Sequence, residues 1–280
     1  MPAESRPSAV PPMEVRGVTK EYAQRGRGRD RRGKVTAVDD VTFTIAPGAA
    51  VGLVGASGSG KSTIARMVTA SERPTRGEVG FGDVAVHQLR GSAKRRFHSR
   101  VQMVFQDPYG ALNPLHTVAY TVSRPCQNYL GMSASEARTR VLGLLETVGL
   151  TPPEQYAAKL PHQLSGGQRQ RVVIARALAC DPELIVADEP VSMLDVSLRA
   201  GVLKLLARLR AERGLSLLYI THDLLSARVV TDEILVLNKG KVVERGVTKQ
   251  VLQHPTHDYT VALLDAVASP AATATSGTPL

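Results

Sequence analysis

The sequence predicts an α/β fold, a largely parallel sheet covered on both faces, and three observations carry that prediction. Short, continuously apolar runs recur in "AAVGLVG" (49–55), "ELIVADEP" (183–190) and "LSLLYITHD" (215–223). Runs of that length and composition are typical of strands buried on two faces. Helical patterns alternate with them, as crossovers between parallel strands require. The first run opens into the glycine-rich "GASGSGKST" (55–63), and "KSTIARMVTA" continues as a helix.

The elements follow in order. The Pro-rich start, 1–12, and the tail, 268–280, hold too few large apolar side chains to pack; both are expected to be disordered, leaving a folded domain at 13–267. "VTFTIAPG" (41–48) alternates and stops at a Pro-Gly turn, which predicts a half-buried strand. "VQMVFQDP" (101–108) reads as a short strand ending at Gln106. The pattern then turns helical through "TVAYTVSRPCQNYL" (117–130) and "SASEARTRVLGLLETVG" (133–149). In the latter, Ser133 and Glu136 form a capping box, Val141, Leu144, Leu145 and Val148 make one stripe, and Gly149 stops the helix. A mostly helical insertion is therefore expected over about 107–180. "SLRAGVLKLLARLRAERG" (197–214) predicts an amphipathic helix ending at Gly214. "EILVLNKGKVVERG" (233–246) predicts a hairpin around Asn238, Lys239 and Gly240, and "THDYTVALLDAV" (256–267) a closing helix.

Composition narrows the function classes. At 280 residues and 43% hydrophobic, the chain can bury a full core. No run approaches the ~18 apolar residues of a membrane span, and the start has no apolar stretch of a secretory signal. Cys126 and Cys180 have no metal-ligand spacing and read as buried free thiols in a reducing compartment. The expected location is cytoplasmic. The formal charge of +10 first raises nucleic acid as a partner. Residues 1–34 hold nine Lys/Arg against four Asp/Glu, and "RGSAKRRFHSR" (90–100) holds five against none, which accounts for the whole surplus. With aromatics at 4% there is little for bases to stack on. The basic stretches read as solvated faces, or as surfaces attracted to an anionic membrane or an acidic partner.

Four strand ends carry the chemistry. In the loop 55–63, Gly55 and Gly60 let the backbone approach a phosphate, successive amides form a cradle, and the helix dipole stands behind it. Lys61 supplies a charge for the β- and γ-phosphates, the Ser62 hydroxyl a ligand for Mg²⁺, and Thr63 a further hydroxyl. An ordinary Gly-rich turn is the competing reading, and the strand before and helix after the loop speak against it. "LIVADE" brings Asp188 to hold Mg²⁺ through its water shell and Glu189 to act as base on the attacking water. His222 ends "LYITH", where it can hydrogen-bond the γ-phosphate; alone it would read as a strand-end histidine. The amide of Gln106 can touch both Mg²⁺ and water, or be a polar loop residue. One puzzle remains: "LSGGQ" (164–168) opens an apolar-periodic run and reads as a second helix start built for an anion.

Taken with "LSGGQ", these stretches resemble the ATP-binding cassette (ABC) transporter ATPases over roughly 13–265. The resemblance implies a P-loop NTPase of the ABC type: a parallel-sheet core, a smaller antiparallel β part and an inserted helical subdomain. It implies ATP and Mg²⁺ as cofactors, with Tyr22 stacking on adenine and Gly55, Ser57, Gly58, Gly60, Lys61, Ser62 and Thr63 around the phosphates. In this family two such domains meet head to tail, so Ser165, Gly166, Gly167 and Gln168 are expected to complete the site of the partner domain, a second copy or a related subunit. Asp195, closing "SMLD", is expected in dimer communication, with Met193 standing where the family often has a smaller residue. Permease subunits would dock in the groove near residues 106–120 at the cytoplasmic face of the membrane. An extracytoplasmic solute-binding protein would act only indirectly. "VFQDPYGALNPLHTV", "EPVSMLDVSLRAGVL" and "HPTHDYTVALL" are similar to importers of di- and oligopeptides, whose relatives handle nickel or oligosaccharides. A soluble ATPase of a non-transport assembly, such as the carbon–phosphorus lyase complex, is the alternative. The "AQRGRGRDRRGK" stretch (23–34) is expected to be a loose loop.

Overall fold

Strand pairing follows from the apolar runs. A computed structural model describes residues 10–25 and 32–268, so most of the expected tails 1–12 and 268–280 (residues 1–9 and 269–280) and the centre of the Arg/Gly stretch (26–31) lie outside the described residues. The N-terminal half contains β1 (Met13–Arg25), β2 (Arg32–Ile45), β3 (Ala50–Val54), α1 (Lys61–Val68), β4 (Arg76–Phe81), β5 (Val84–Ala85), α2 (Gly91–Arg100) and β6 (Val101–Val104). A helical stretch follows: α3 (Pro108–Ala111), α4 (Val118–Leu130), α5 (Ala134–Thr147), α6 (Pro153–Ala158) and α7 (Gly166–Leu178). Then come β7 (Leu184–Asp188), α8 (Val196–Arg213), β8 (Ser216–Thr221) and α9 (Leu224–Val230). The fold closes with β9 (Glu233–Asn238), β10 (Lys241–Val247), α10 (Thr248–Gln253) and α11 (Asp258–Ala268).

One sheet has the order β10-β9-β3-β8-β7-β6 and is parallel except for β10, which pairs antiparallel with β9. The other, β2-β1-β4-β5, is antiparallel. Alternation along the parallel strands splits the core. Leu53, Leu184, Val186, Leu218, Ile220 and Leu235 pack with Ile64 and Met67 of α1 and with Ile45 and Phe81 of the antiparallel sheet. Ile185, Ala187, Leu217, Tyr219, Ile234 and Val236 pack in the second core with Val173 and Ile174 of α7 and Leu206 of α8. Each fully buried Val, Leu, Ile, Met or Phe among them contributes about 1.5–3 kcal/mol.

The helical stretch begins at α3 and opens on capped starts. Asp107 caps α3 and Thr117 caps α4 through their side chains, and Ser133 and Glu136 form the predicted capping box of α5. Val141, Leu144, Leu145 and Val148 are all buried. Gly214 ends α8 in the left-handed conformation, and the β9–β10 turn falls on Lys239 and Gly240, both with positive φ.

Some expectations need correction. The Arg/Gly stretch is not all loop: Ala23, Gln24 and Arg25 pair with Lys34, Gly33 and Arg32, extending the β1–β2 ladder. The sheet pairing of β6 with β7 ends at Val104, so Gln106 lies two residues beyond the strand. Ala268 belongs to α11, and the Pro12 carbonyl accepts from Gly82 N, so order spreads slightly past both expected domain limits.

Candidate active site

Four adjacent parallel strands, β3-β8-β7-β6, end on the same side of the sheet, where open α/β sheets place their ligands. Their carboxyl ends deliver the loop 55–63, His222, the Asp188–Glu189 pair and Gln106. The structure brings the last three groups together on one carboxylate. Gln106 Nε2 donates to Glu189 Oε2 at 3.1 Å, and His222 Nδ1 lies 3.2 Å from Glu189 Oε1. Glu189 itself has φ of 46°, a region that L-residues rarely occupy, and its amide is tied to the Ile220 carbonyl at 2.8 Å. Strain of this kind persists where the surroundings enforce it, commonly at functional sites.

The loop 55–63 is built around space that only glycine leaves. A Cβ on Gly55 would stand 2.1 Å from the Leu237 carbonyl oxygen, and one on Gly60, at φ 108°, 2.4 Å from the Ala37 carbonyl oxygen. Gly58 has positive φ with open space before it, and Ser57 is exposed beside it. Lys61 is buried and folds back, donating to the Gly55 carbonyl at 2.7 Å and the Ala56 carbonyl at 2.8 Å. Burial pushes its ammonium below the usual lysine range, and the nearby Glu189 and Asp188 carboxylates oppose that shift. Asp188 is raised by burial, against a hydrogen bond from Ser62.

Ser62, Asp188 and the Gln106 amide offer hard oxygen donors of the kind that Mg²⁺ takes. Among the described residues no three His, Cys, Asp or Glu side chains cluster around a metal position. The donor set therefore fits a cation that shares its coordination with phosphate oxygens and water. It does not fit an all-protein cage.

Tyr22 stands on β1 opposite Val35 and is half-buried. Its hydroxyl donates to Glu72 at 2.6 Å and also meets Thr63, with Lys20 Nζ 5.2 Å from the ring centre. The expected aromatic is thus beside the helix that follows the loop, and the expected Thr63 hydroxyl is in contact with it. Burial first, then the Glu72 hydrogen bond, raises the Tyr22 phenol.

The second helix start is real and lies elsewhere. Ser165 caps α7: its hydroxyl accepts from Gln168 N at 3.3 Å, and the Gln168 amide oxygen accepts from Ser165 N at 3.0 Å. Gly166 and Gly167 pack against Leu194 and Leu198, with the Tyr109 hydroxyl close to Gly166. These neighbours differ from the Lys61–Asp188–Glu189 group. Asp195 precedes α8, exposed and without a side-chain cap bond, and Met193 and Val196 around it are 54% and 80% exposed.

Two groups were not found by reading the sequence. Tyr259 of α11 accepts a hydrogen bond from Ala56 N at 2.9 Å, and Tyr109 stacks under Arg169 at 4.1 Å. Neither sits at a strand end or in a phosphate-binding pattern; only the "HPTHDYTVALL" and "VFQDPYGALNPLHTV" stretches pointed toward them. A cavity of about 590 Å³ lies at the opposite, amino-terminal ends of the strands, lined by Phe81, Arg100 and Glu183. It is remote from this chemistry.

Comparison with known proteins agrees with the geometry. The ABC transporter family model matches residues 38–192, more than half of the chain. The oligopeptide transport ATP-binding protein OppF of Bacillus subtilis (strain 168) is 46% identical over 241 residues, spanning 85% of this chain and 78% of that protein. The dipeptide transport ATP-binding protein DppF of Haemophilus influenzae is 40% identical over 257 residues, 92% of this chain and 78% of the relative. Among solved structures, a dimeric, post-hydrolysis state of the ATP-binding cassette MJ0796 bound to ADP and Pi superposes with a TM-score of 0.73 at 34% identity, covering 84% of this chain and 98% of that one. A phosphate loop, a strand-end carboxylate pair and a separate capped helix start in one chain, matched over this length by cassettes of one kind, place the protein in the ABC transporter family.

Proposed function

We propose that the chain is the ATP-hydrolysing subunit of an importer for peptides or similar solutes, acting as one half of a head-to-tail dimer on the cytoplasmic face of the membrane. The observation that carries it is the convergence of Gln106 and His222 on the two oxygens of Glu189, at the sheet edge where the phosphate loop opens. The OppF and DppF relatives support the solute class. Nothing in the comparisons favours the non-transport alternative.

In this reading Lys61 leaves its two carbonyls for the β- and γ-phosphates, and the amides of Ser57, Gly58 and Gly60 line the cradle. Tyr22 stacks on the adenine, and Thr63 adds its hydroxyl. Ser62 and Asp188, with Gln106 beside them, would hold Mg²⁺, which when bound would supply neutralisation of phosphate charge. Glu189 takes the proton of the attacking water, and His222 orients that water against the γ-phosphate.

Ser165, Gly166, Gly167 and Gln168 close the partner's site, which accounts for two phosphate-binding helix starts in one chain. The exposed Met193 and Val196 lie beside that surface, next to Asp195. Phe105, Tyr109, Leu115 and Tyr120 are likewise exposed, and a cavity of about 360 Å³ runs past Asn113, His116 and Tyr120. This is the groove for the permease, and through the permease the solute-binding protein is reached. Among the described residues no helix is long and apolar enough to cross a membrane.

The test is Glu189→Gln, which keeps the shape of the side chain and removes the base. ATP binding should persist, hydrolysis should fall by ~10²-fold or more, and an ATP-bound dimer should accumulate on gel filtration. Near-normal turnover in the assembled transporter would remove Glu189 from the mechanism.

A further inference from the structure

The segment from Glu244 to Tyr259 lies outside the 38–192 stretch of the family model, and it ends on the phosphate loop. Its base is firm. Glu244 of β10 is buried; its Oε1 accepts from Thr256 N at 2.8 Å and Thr256 Oγ1 at 3.0 Å, and its Oε2 accepts from His257 N at 3.2 Å. His257 Nδ1 then accepts from Tyr259 N at 3.1 Å, and the His257 carbonyl accepts from Thr260 N at 2.8 Å, which fixes the first turn of α11. From that turn the half-buried Tyr259 presents its hydroxyl to Ala56 N at 2.9 Å.

The N–H that Tyr259 receives belongs to the same peptide group as the Gly55 carbonyl, and that carbonyl accepts from Lys61 Nζ at 2.7 Å. One peptide plane is therefore held on both edges, by Tyr259 on its N–H and by the phosphate-loop lysine on its C=O. Rotation of the plane would break both bonds. Glycine offers little intrinsic resistance to such rotation, so the resistance comes from the partners.

We infer that Tyr259 is a positioning residue for nucleotide binding: it fixes the Gly55–Ala56 peptide, and with it the backbone shape of the loop that receives the phosphates, so that the C-terminal segment sets the affinity of the phosphate loop. The inference rests on the phosphate-loop reading given above. Its physical content is preorganisation, an ordering cost met before the ligand arrives. The competing role is purely structural, with Tyr259 pinning α11 to the domain.

Tyr259→Phe in the full chain separates the two, since the ring keeps its packing and only the hydroxyl is lost. Loss of one such hydrogen bond should raise the calorimetric Kd for ATP about 3- to 10-fold. In the assembled transporter KM for ATP should rise by a similar factor, with kcat within about twofold, and Tm should stay near that of the wild type. A lowered Tm with wild-type ATP affinity overturns the inference and leaves Tyr259 a structural anchor. Should Tyr259→Phe not fold, His257→Ala, which frees the Tyr259 amide, must show the same rise in Kd, and an unchanged Kd there is equally fatal. Lys61→Ala serves as the control for the underlying reading. If the wild type binds no ATP, or Lys61→Ala binds as the wild type does, the phosphate-loop assignment fails and not this coupling.

Discussion

Gly55 and Lys61 show how much of the site is decided by single residues. The Leu237 carbonyl belongs to a strand that cannot retreat, so Gly55→Ala must move the loop. Lys61→Ala is the gentler probe. The side chain donates to two loop carbonyls and lies near the two carboxylates, so the fold should survive its truncation while ATP affinity falls sharply by calorimetry. Unchanged affinity would count against the phosphate role. Asp188, Glu189 and His222 were legible from sequence because each ends an apolar run, and a buried strand has one place to put a polar group: its end. Gln106 was legible as a site residue though its strand stops earlier. Tyr259 was not, because its partner lies 203 residues away and nothing local marks the pair.

At the scale of elements, α7 poses the clearest test. Its N-terminus is capped by the exposed Ser165, and its close neighbours are Tyr109, Leu194 and Leu198. Ser165→Arg should leave ATP binding by the monomer nearly unchanged, because that nucleotide rests on the chain's own loop. Hydrolysis and ATP-driven dimerisation should be lost, since a bulky cation occupies the partner's phosphate position. A linked heterodimer of Ser165→Arg with Lys61→Ala sharpens this. If α7 acts across the interface, both defects fall in one composite site and the other stays intact, so single-turnover hydrolysis reappears. Near-zero activity beside an active linked wild type would mean that each site carries one defect and that α7 serves its own chain. The same scale shows where sequence patterns failed. β1 was not read as a strand because register shifts around Val15, Val18 and Lys20 break its alternation, and β4 carries two glycines in six residues. The helical insertion was legible because Ser133 and Glu136 cap it and its stripe keeps the 3.6-residue period.

For the whole molecule, the parallel sheet divides the core into two, one shared with the antiparallel sheet and α1, the other with the helical insertion, α8 and α9. The loop 55–63 leads into α1 in the first core, and α4, which carries Tyr120, packs in the second, so in the proposed reading the sheet would be the common plate between nucleotide and membrane partner. Expressed with its permease the chain should sediment with membranes, and Leu115→Asp and Tyr120→Asp together should release it while leaving ATP binding intact. Retention of that double variant on membranes would move the docking groove elsewhere. The strand order has a further consequence, felt on the ribosome. β3, which carries the phosphate loop, is flanked by β8 and β9, and neither is made until about 160 residues after β3 has been synthesised. At roughly 5–20 residues per second, its apolar "AVGLV" strand waits about 8–30 s with both edges unpaired. Throughout that interval the nascent chain has a nucleotide-binding motif but no sheet to hold it, and its need for chaperones should be greatest then.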